Sequence, residues 1–183
     1  MESRLSDSHL NSLINSNISN LKAACQMLNS LTHGEFSQIC RPYFDSSVGK
    51  HLRHILDHYL CFQRDVQKGT INYDRRQRDG QLETDRNHAY TVMEHVSAFL
   101  ETLKQSHSAE HPLNVVMCYD LASPQSKVTL SSLGRELQFL QGHSVHHYAL
   151  MAAMLRFLGK SVDPHFGMAP STIVHEEAIK ESA

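Results

Sequence analysis

GRELQFLQGHSVHHYALMAAMLRFLG, residues 134–159, reads as one long amphipathic helix with histidines set into its apolar face. From Leu133 the stripe runs through Leu137, Leu140, His143, His147, Leu150, Met151, Met154 and Leu158. Those steps of three and four residues are the helical period. Ser131 or Ser132 suits the N-cap and Gly159 the C-terminal stop. A helix is therefore expected over about 131–158. His143 and His147 stand where core residues are due, with His146 to the side. A buried imidazole without a partner costs about 1–3 kcal/mol. Two of them call for a shared compensation, which a metal ion supplies. A hydrogen-bonded polar core is the alternative.

Three further segments carry the same period. The first, about 6–31, aligns Leu10, Leu13, Ile14, Ile18, Leu21, Cys25 and Leu28. The second, about 46–68, begins at the capping candidates Ser46 and Ser47 and stops at Gly69. The third, about 84–106, aligns Ala89, Val92, Met93, Val96, Phe99, Leu100 and Leu103. The connections between helices are long. The one before the last helix holds NVVMCYDL and KVTL around ASPQS, which reads as a small β-hairpin. The expected fold is all-α, a four-helix bundle with long crossover connections, forming a single domain over residues 1–183. The tail, 160–183, reads as irregular structure packed back on the bundle.

Composition excludes several classes. A net charge of -2 over 183 residues leaves no basic surface for nucleic acid. No apolar run approaches the roughly 18–20 residues that span a bilayer. The polar start, MESRLSDSHLNSLINSN, has no secretory core, so a cytoplasmic location is expected. Cys25, Cys40, Cys61 and Cys118 form no C-x-x-C pair and read as small buried hydrophobes. There is no G-x-S-x-G, no phosphate-binding glycine loop and no H-E-x-x-H.

Histidine is the outlier, with 14 residues. At that density chance gives about one His-x-x-x-His pair. The chain has His54/His58, His107/His111 and His143/His147. The second lies beside Pro112 in a polar loop and is set aside. The other two fall within expected helices, where a four-residue step puts both imidazoles on one face within reach of one ion. His51, His54, Ile55, His58 and Phe62 share a stripe of the second helix. His51 and His58 are read there as pocket or surface residues, and His146 as a flanking group.

SSVGKHLRHILDHY, followed much later by the 134–159 stretch, resembles the DinB-like superfamily of metal-binding four-helix bundles. NYDRRQRDGQLETDR and HFGMAPSTI add to the likeness, which spans nearly the whole chain. In that family one ligand is the second histidine of an H-L-x-H early in helix two, and two come from an H-x-x-x-H in helix four. The resemblance thus implies His54, His143 and His147 as ligands, and often a homodimer. Characterised relatives include transferases and isomerases that depend on a low-molecular-weight thiol. A domain of this type supplies iron ligands in sulfoxide synthases of ergothioneine biosynthesis.

Three imidazoles leave positions open on a divalent ion, which is the catalytic kind of site. Zinc or nickel is the expected ion, with iron and manganese as alternatives. The expected activity is hydrolysis or transfer of a low-molecular-weight thiol. The other reading is a non-catalytic protein braced by its ion. Asp57, three residues after His54, is a candidate to orient an imidazole, or simply to pair with an arginine. Glu136, two turns before His143, is a candidate general base or the partner of an arginine. Arg76 and Arg78, in the loop NYDRRQRD, are candidate contacts for an anionic substrate or cofactor. Tyr148 reads as a packing residue.

Overall fold

A computed structural model describes residues 2–105 and 107–182, with side chains from residue 8 onward. Four long helices dominate it: α1 (Glu2–Leu28), α3 (Val48–Asp65), α5 (Arg86–Leu103) and α6 (Leu133–Phe157). Three shorter ones are α2 (His33–Ser37), α4 (Gln81–Thr84) and α7 (Pro170–Glu181). The strands are β1 (Thr70–Asn72), β2 (Pro112–Met117) and β3 (Lys127–Ser132). Among the long helices, α1 packs on α5 and α6, and α3 packs on the same two. The chain is therefore mostly helical, with one small sheet. Ser106, the last residue expected in the third helix, lies outside the described residues.

The helix ends follow from capping. Ser47 and Ser132 each accept a hydrogen bond from a backbone N–H three residues on, Lys50 and Arg135. At the far end of α6, Gly159 has φ 73°, and the Lys160 N–H reaches back to the Leu155 carbonyl. A side chain would oppose that left-handed backbone, so glycine ends the helix there. Leu10, Ile14, Ile18, Leu21, Ala24 and Leu28 of α1 are buried, as are Ala89, Met93, Val96, Leu100 and Leu103 of α5.

The buried line of α6 differs from the expected one. It runs Leu133, Leu137, Leu140, Ser144, Tyr148, Met151, Leu155. His143 and His147 sit one residue to the side, half-buried, and Leu150 and Leu158 are half-buried too. The cause is a polar network at the centre. Asn17 of α1 donates to the Leu137 carbonyl at 3.0 Å and accepts from the Tyr59 hydroxyl of α3 at 2.7 Å. Ser144 donates to Leu140 and lies 3.3 Å from the Tyr59 hydroxyl. A small polar residue fits this junction of three helices, and the larger imidazoles stand at its edge.

The expected hairpin exists and is part of a larger sheet. β2 and β3 pair antiparallel, with Asn114 opposite Leu130 and Val116 opposite Val128. β1 pairs with β2 in parallel, Ile71 opposite Val115. The tail also differs from expectation, since α7 is helical with Pro170 in its first turn. Ahead of it, Phe166 stacks on Tyr148 with centroids 4.9 Å apart. A Cβ on Gly167, at φ 83°, would run into the backbone of Tyr148 and Ala149. The tail is thus laid tightly over α6 before α7 begins.

Candidate metal centre

α3 contributes His51, His54 and His58, and α6 contributes His143, His146 and His147. Packing of these helices brings the two His-x-x-x-His pairs face to face. The His54 ring lies 4.9 Å from His143 and 4.7 Å from His147, centroid to centroid. His143 and His147 are 4.6 Å apart, and His58 is 4.2 Å from His143. The Nε2 atoms of His54 and His143 approach to 3.2 Å. His54, His58 and His143 each offer a nitrogen within 4.8 Å of the others, a three-histidine cluster compatible with metal binding.

Burial keeps these rings uncharged. Desolvation first, then neighbouring histidines, pushes His143 down to about 2 and His147 to about 3. The same causes, with Arg76 and Arg53 contributing, push His54 down to about 4. His51 and His58 also fall below the ordinary histidine value, chiefly through burial. A neutral imidazole carries one N–H and one lone pair, the state a metal ligand requires.

The outer nitrogens decide which lone pairs face inward. His58 is 5% exposed, and its Nδ1 lies 2.9 Å from the His54 carbonyl. A carbonyl only accepts, so Nδ1 carries the proton and Nε2 is bare. Arg76 Nη1 donates to that Nε2 at 3.3 Å. Nδ1 of His51 and Nδ1 of His147 are 2.9 Å apart, so one donates to the other. His143 Nδ1 is buried without any partner, an atom that protein contacts alone leave unsatisfied.

The other candidate residues are placed as follows. His58, read from sequence as peripheral, lies inside the cluster, because the rings of Tyr73 and Phe139 close over it. Neither residue is near it in sequence, so no local pattern announced it. Asp57 is 2% exposed and pairs with Arg53 at 2.8 Å, the simpler of its two expected roles. Glu136 pairs with no arginine among the described residues. It accepts from the hydroxyls of Tyr73 at 2.8 Å and Ser131 at 2.5 Å. Tyr73 and Phe139 therefore separate Glu136 from the imidazoles, and both also line a cavity of about 260 Å³ with Glu136 and Ser131. Arg78 is exposed, at φ 54°. Tyr148 packs against Phe166 and donates to the Asn20 carbonyl. No helix among the described residues is long and apolar enough to cross a membrane.

Over 107 residues, 57% of the chain, the sequence is 36% identical to FK506-binding protein 5 of Rhizopus delemar. The chain covers 27% of that protein's length. No solved structure matches. The match to the DinB family runs over residues 5–168, nearly the whole chain and both histidine pairs, and the chain belongs to that family.

Proposed function

We propose that the protein is a metal-dependent enzyme in which His54, His143 and His147 hold one divalent ion, zinc or nickel, with iron and manganese as alternatives. The observation that carries this reading is the convergence of neutral imidazoles from α3 and α6, with His143 Nδ1 buried and unpartnered. His147 is preferred to His58 as the third ligand on hydrogen bonding. The His58 lone pair is already taken by Arg76, whereas a His147 that donates its Nδ1–H to His51 has Nε2 bare for the ion. Bound there, a divalent ion supplies an activated water or thiol and polarises an acceptor group. The rings of Tyr73 and Phe139 pack against His58 and His143 on one side of the cluster. The chemistry we propose is hydrolysis or transfer of a low-molecular-weight thiol.

A second reading has its own support. Asp57 and Glu136 are bonded to Arg53, Tyr73 and Ser131, and no carboxylate among the described residues is hydrogen-bonded to the clustered imidazoles. That favours an ion which braces α3 against α6 without catalysis.

Elemental analysis of untagged protein purified without chelator tests both the metal and its ligands. About one equivalent is expected in the parent and none in the His54→Ala/His143→Ala/His147→Ala variant. His147→Ala alone is expected to weaken binding about 100-fold, and His58→Ala by less than about tenfold. The reverse order would move the third ligand to His58. No metal in the parent, even after incubation with zinc and nickel, would leave a polar histidine core and end the enzyme reading. With metal bound, a screen of thiol transfer and hydrolysis separates the catalytic reading from the brace.

A further inference from the structure

Arg76 lies half-buried in the loop between β1 and α4. Among the described residues, its one side-chain hydrogen bond, 3.3 Å long, goes to a neutral imidazole nitrogen of His58. A guanidinium has five donors and a permanent charge, so one neutral acceptor leaves it largely unmatched. Asp74 and Asp79, close in sequence, and Asp57, next to His58 on α3, are each committed elsewhere. Asp57 is held by Arg53, and Asp79 by His88 at 3.1 Å. Asp74 accepts from the Ser126 hydroxyl at 2.6 Å and the Cys118 N–H at 2.8 Å. Among the described residues, no carboxylate lies within ion-pair distance of Arg76.

The loop presents that charge in a fixed place. Tyr73 is tied to the sheet through its N–H and the Val116 carbonyl, and to α6 through its hydroxyl and Glu136. Asp79 accepts the Gln81 N–H at the other end. The charge also reaches the cluster, since Arg76 is among the causes that lower His54 and His58. The two arginines of α3 are both neutralised, Arg53 by Asp57 and Glu83 and Arg64 by Asp65. One guanidinium without a counter-ion matches one negative charge.

We propose that Arg76 is a substrate-binding residue that takes up the carboxylate of a small molecule, leaving His58 as it does so. The substrate class is a short carboxylate-bearing compound whose other end reaches the imidazoles, about one ring-width away. The second half of this statement rests on the open-metal-site reading, whereas the carboxylate contact at Arg76 does not. A planar carboxylate can take two of the guanidinium N–H groups at once, which the present single bond to His58 cannot.

Two arms test the two halves separately. In metal-free protein, succinate is titrated while the His58 ring nitrogens are followed by NMR, with inorganic phosphate in parallel. The Nε2 resonance is expected to move on adding succinate in the parent and to stay still in Arg76→Gln. In cobalt-loaded protein, mercaptopropionate and mercaptoethanol are compared through the thiolate absorption bands. The parent is expected to bind the carboxylate-bearing thiol about tenfold more tightly, a preference lost in Arg76→Gln at unchanged metal content. A His58 that ignores succinate, or answers phosphate alone, overturns the carboxylate site. An equal thiol preference in both proteins overturns it as well. Failure to load metal, with His58 still responding to succinate through Arg76, keeps the anion contact and removes the ion.

Discussion

His143 has a buried Nδ1 with no partner, beside an Nε2 that meets another neutral ring. Protonation would give it a charge in a poorly solvated place, and the neighbouring imidazoles oppose that charge further. The consequence is a pH dependence of known sign. The folded values of His54, His143 and His147, about 4, 2 and 3, lie below the ordinary value of 6.5. The unfolded chain therefore takes up protons first as pH falls. Stability of the metal-free protein should be full above about pH 6.5 and decline as pH drops toward about 4 and below. Thermal melts of metal-free protein at pH 7.5 and 5 check this. The triple variant with glutamine at these positions should show a flatter profile. His143 and His147 stand out in the sequence because their spacing is helical and their type is wrong for a core face, whereas His54 is told from His58 only by the H-L-x-H of the family resemblance. His58 shares the spacing, but its burial depends on Tyr73 and Phe139, which arrive from a loop and from α6. That long-range closure has no local signature.

Helices α1, α3 and α6 meet at Asn17, Tyr59 and Ser144, all buried. The Asn17 amide satisfies a carbonyl of α6 and a hydroxyl of α3 at once, so it sets the axial register between the helices that carry the histidines. Asn17→Ala should cost about 2–3 kcal/mol, because it strands the Tyr59 hydroxyl and the Leu137 carbonyl away from water. Denaturant unfolding measures that loss, and metal affinity should weaken with it if register matters to the cluster. Nothing in the sequence marks Asn17, since a polar residue between Asn15 and Ile18 looks like any solvated position. The long helices were legible through their period and caps, with ends within a few residues. β1 was not. It spans three residues, and its partner lies some forty residues on, so neither alternation nor a turn marks it. α7 leaves no such mark either, because it buries none of its residues and so lacks the apolar stripe that betrays a helix.

For the whole molecule, that same lack of burial sets an expectation. Removing residues 170–183 should leave the melting temperature and the metal content of the protein unchanged within error, because α7 adds no buried side chain to the core. Removing the stretch from residue 164 onward should not be neutral, since it takes away the Phe166–Tyr148 stack. Scanning calorimetry of the two truncations separates these outcomes. The sheet has a different kind of consequence, in the order of assembly. Its parallel pair joins Ile71 to Val115, closing a long excursion of chain that includes all of α5. Such a closure spends chain entropy before it returns a contact. The meeting of His54 with His143 closes a longer loop still, 89 residues. The individual helices form first, on local contacts. By chain length alone, β1 pairs before the histidines meet, and the loop that hangs from that strand already holds Arg76 in place when α6 brings its imidazoles to α3.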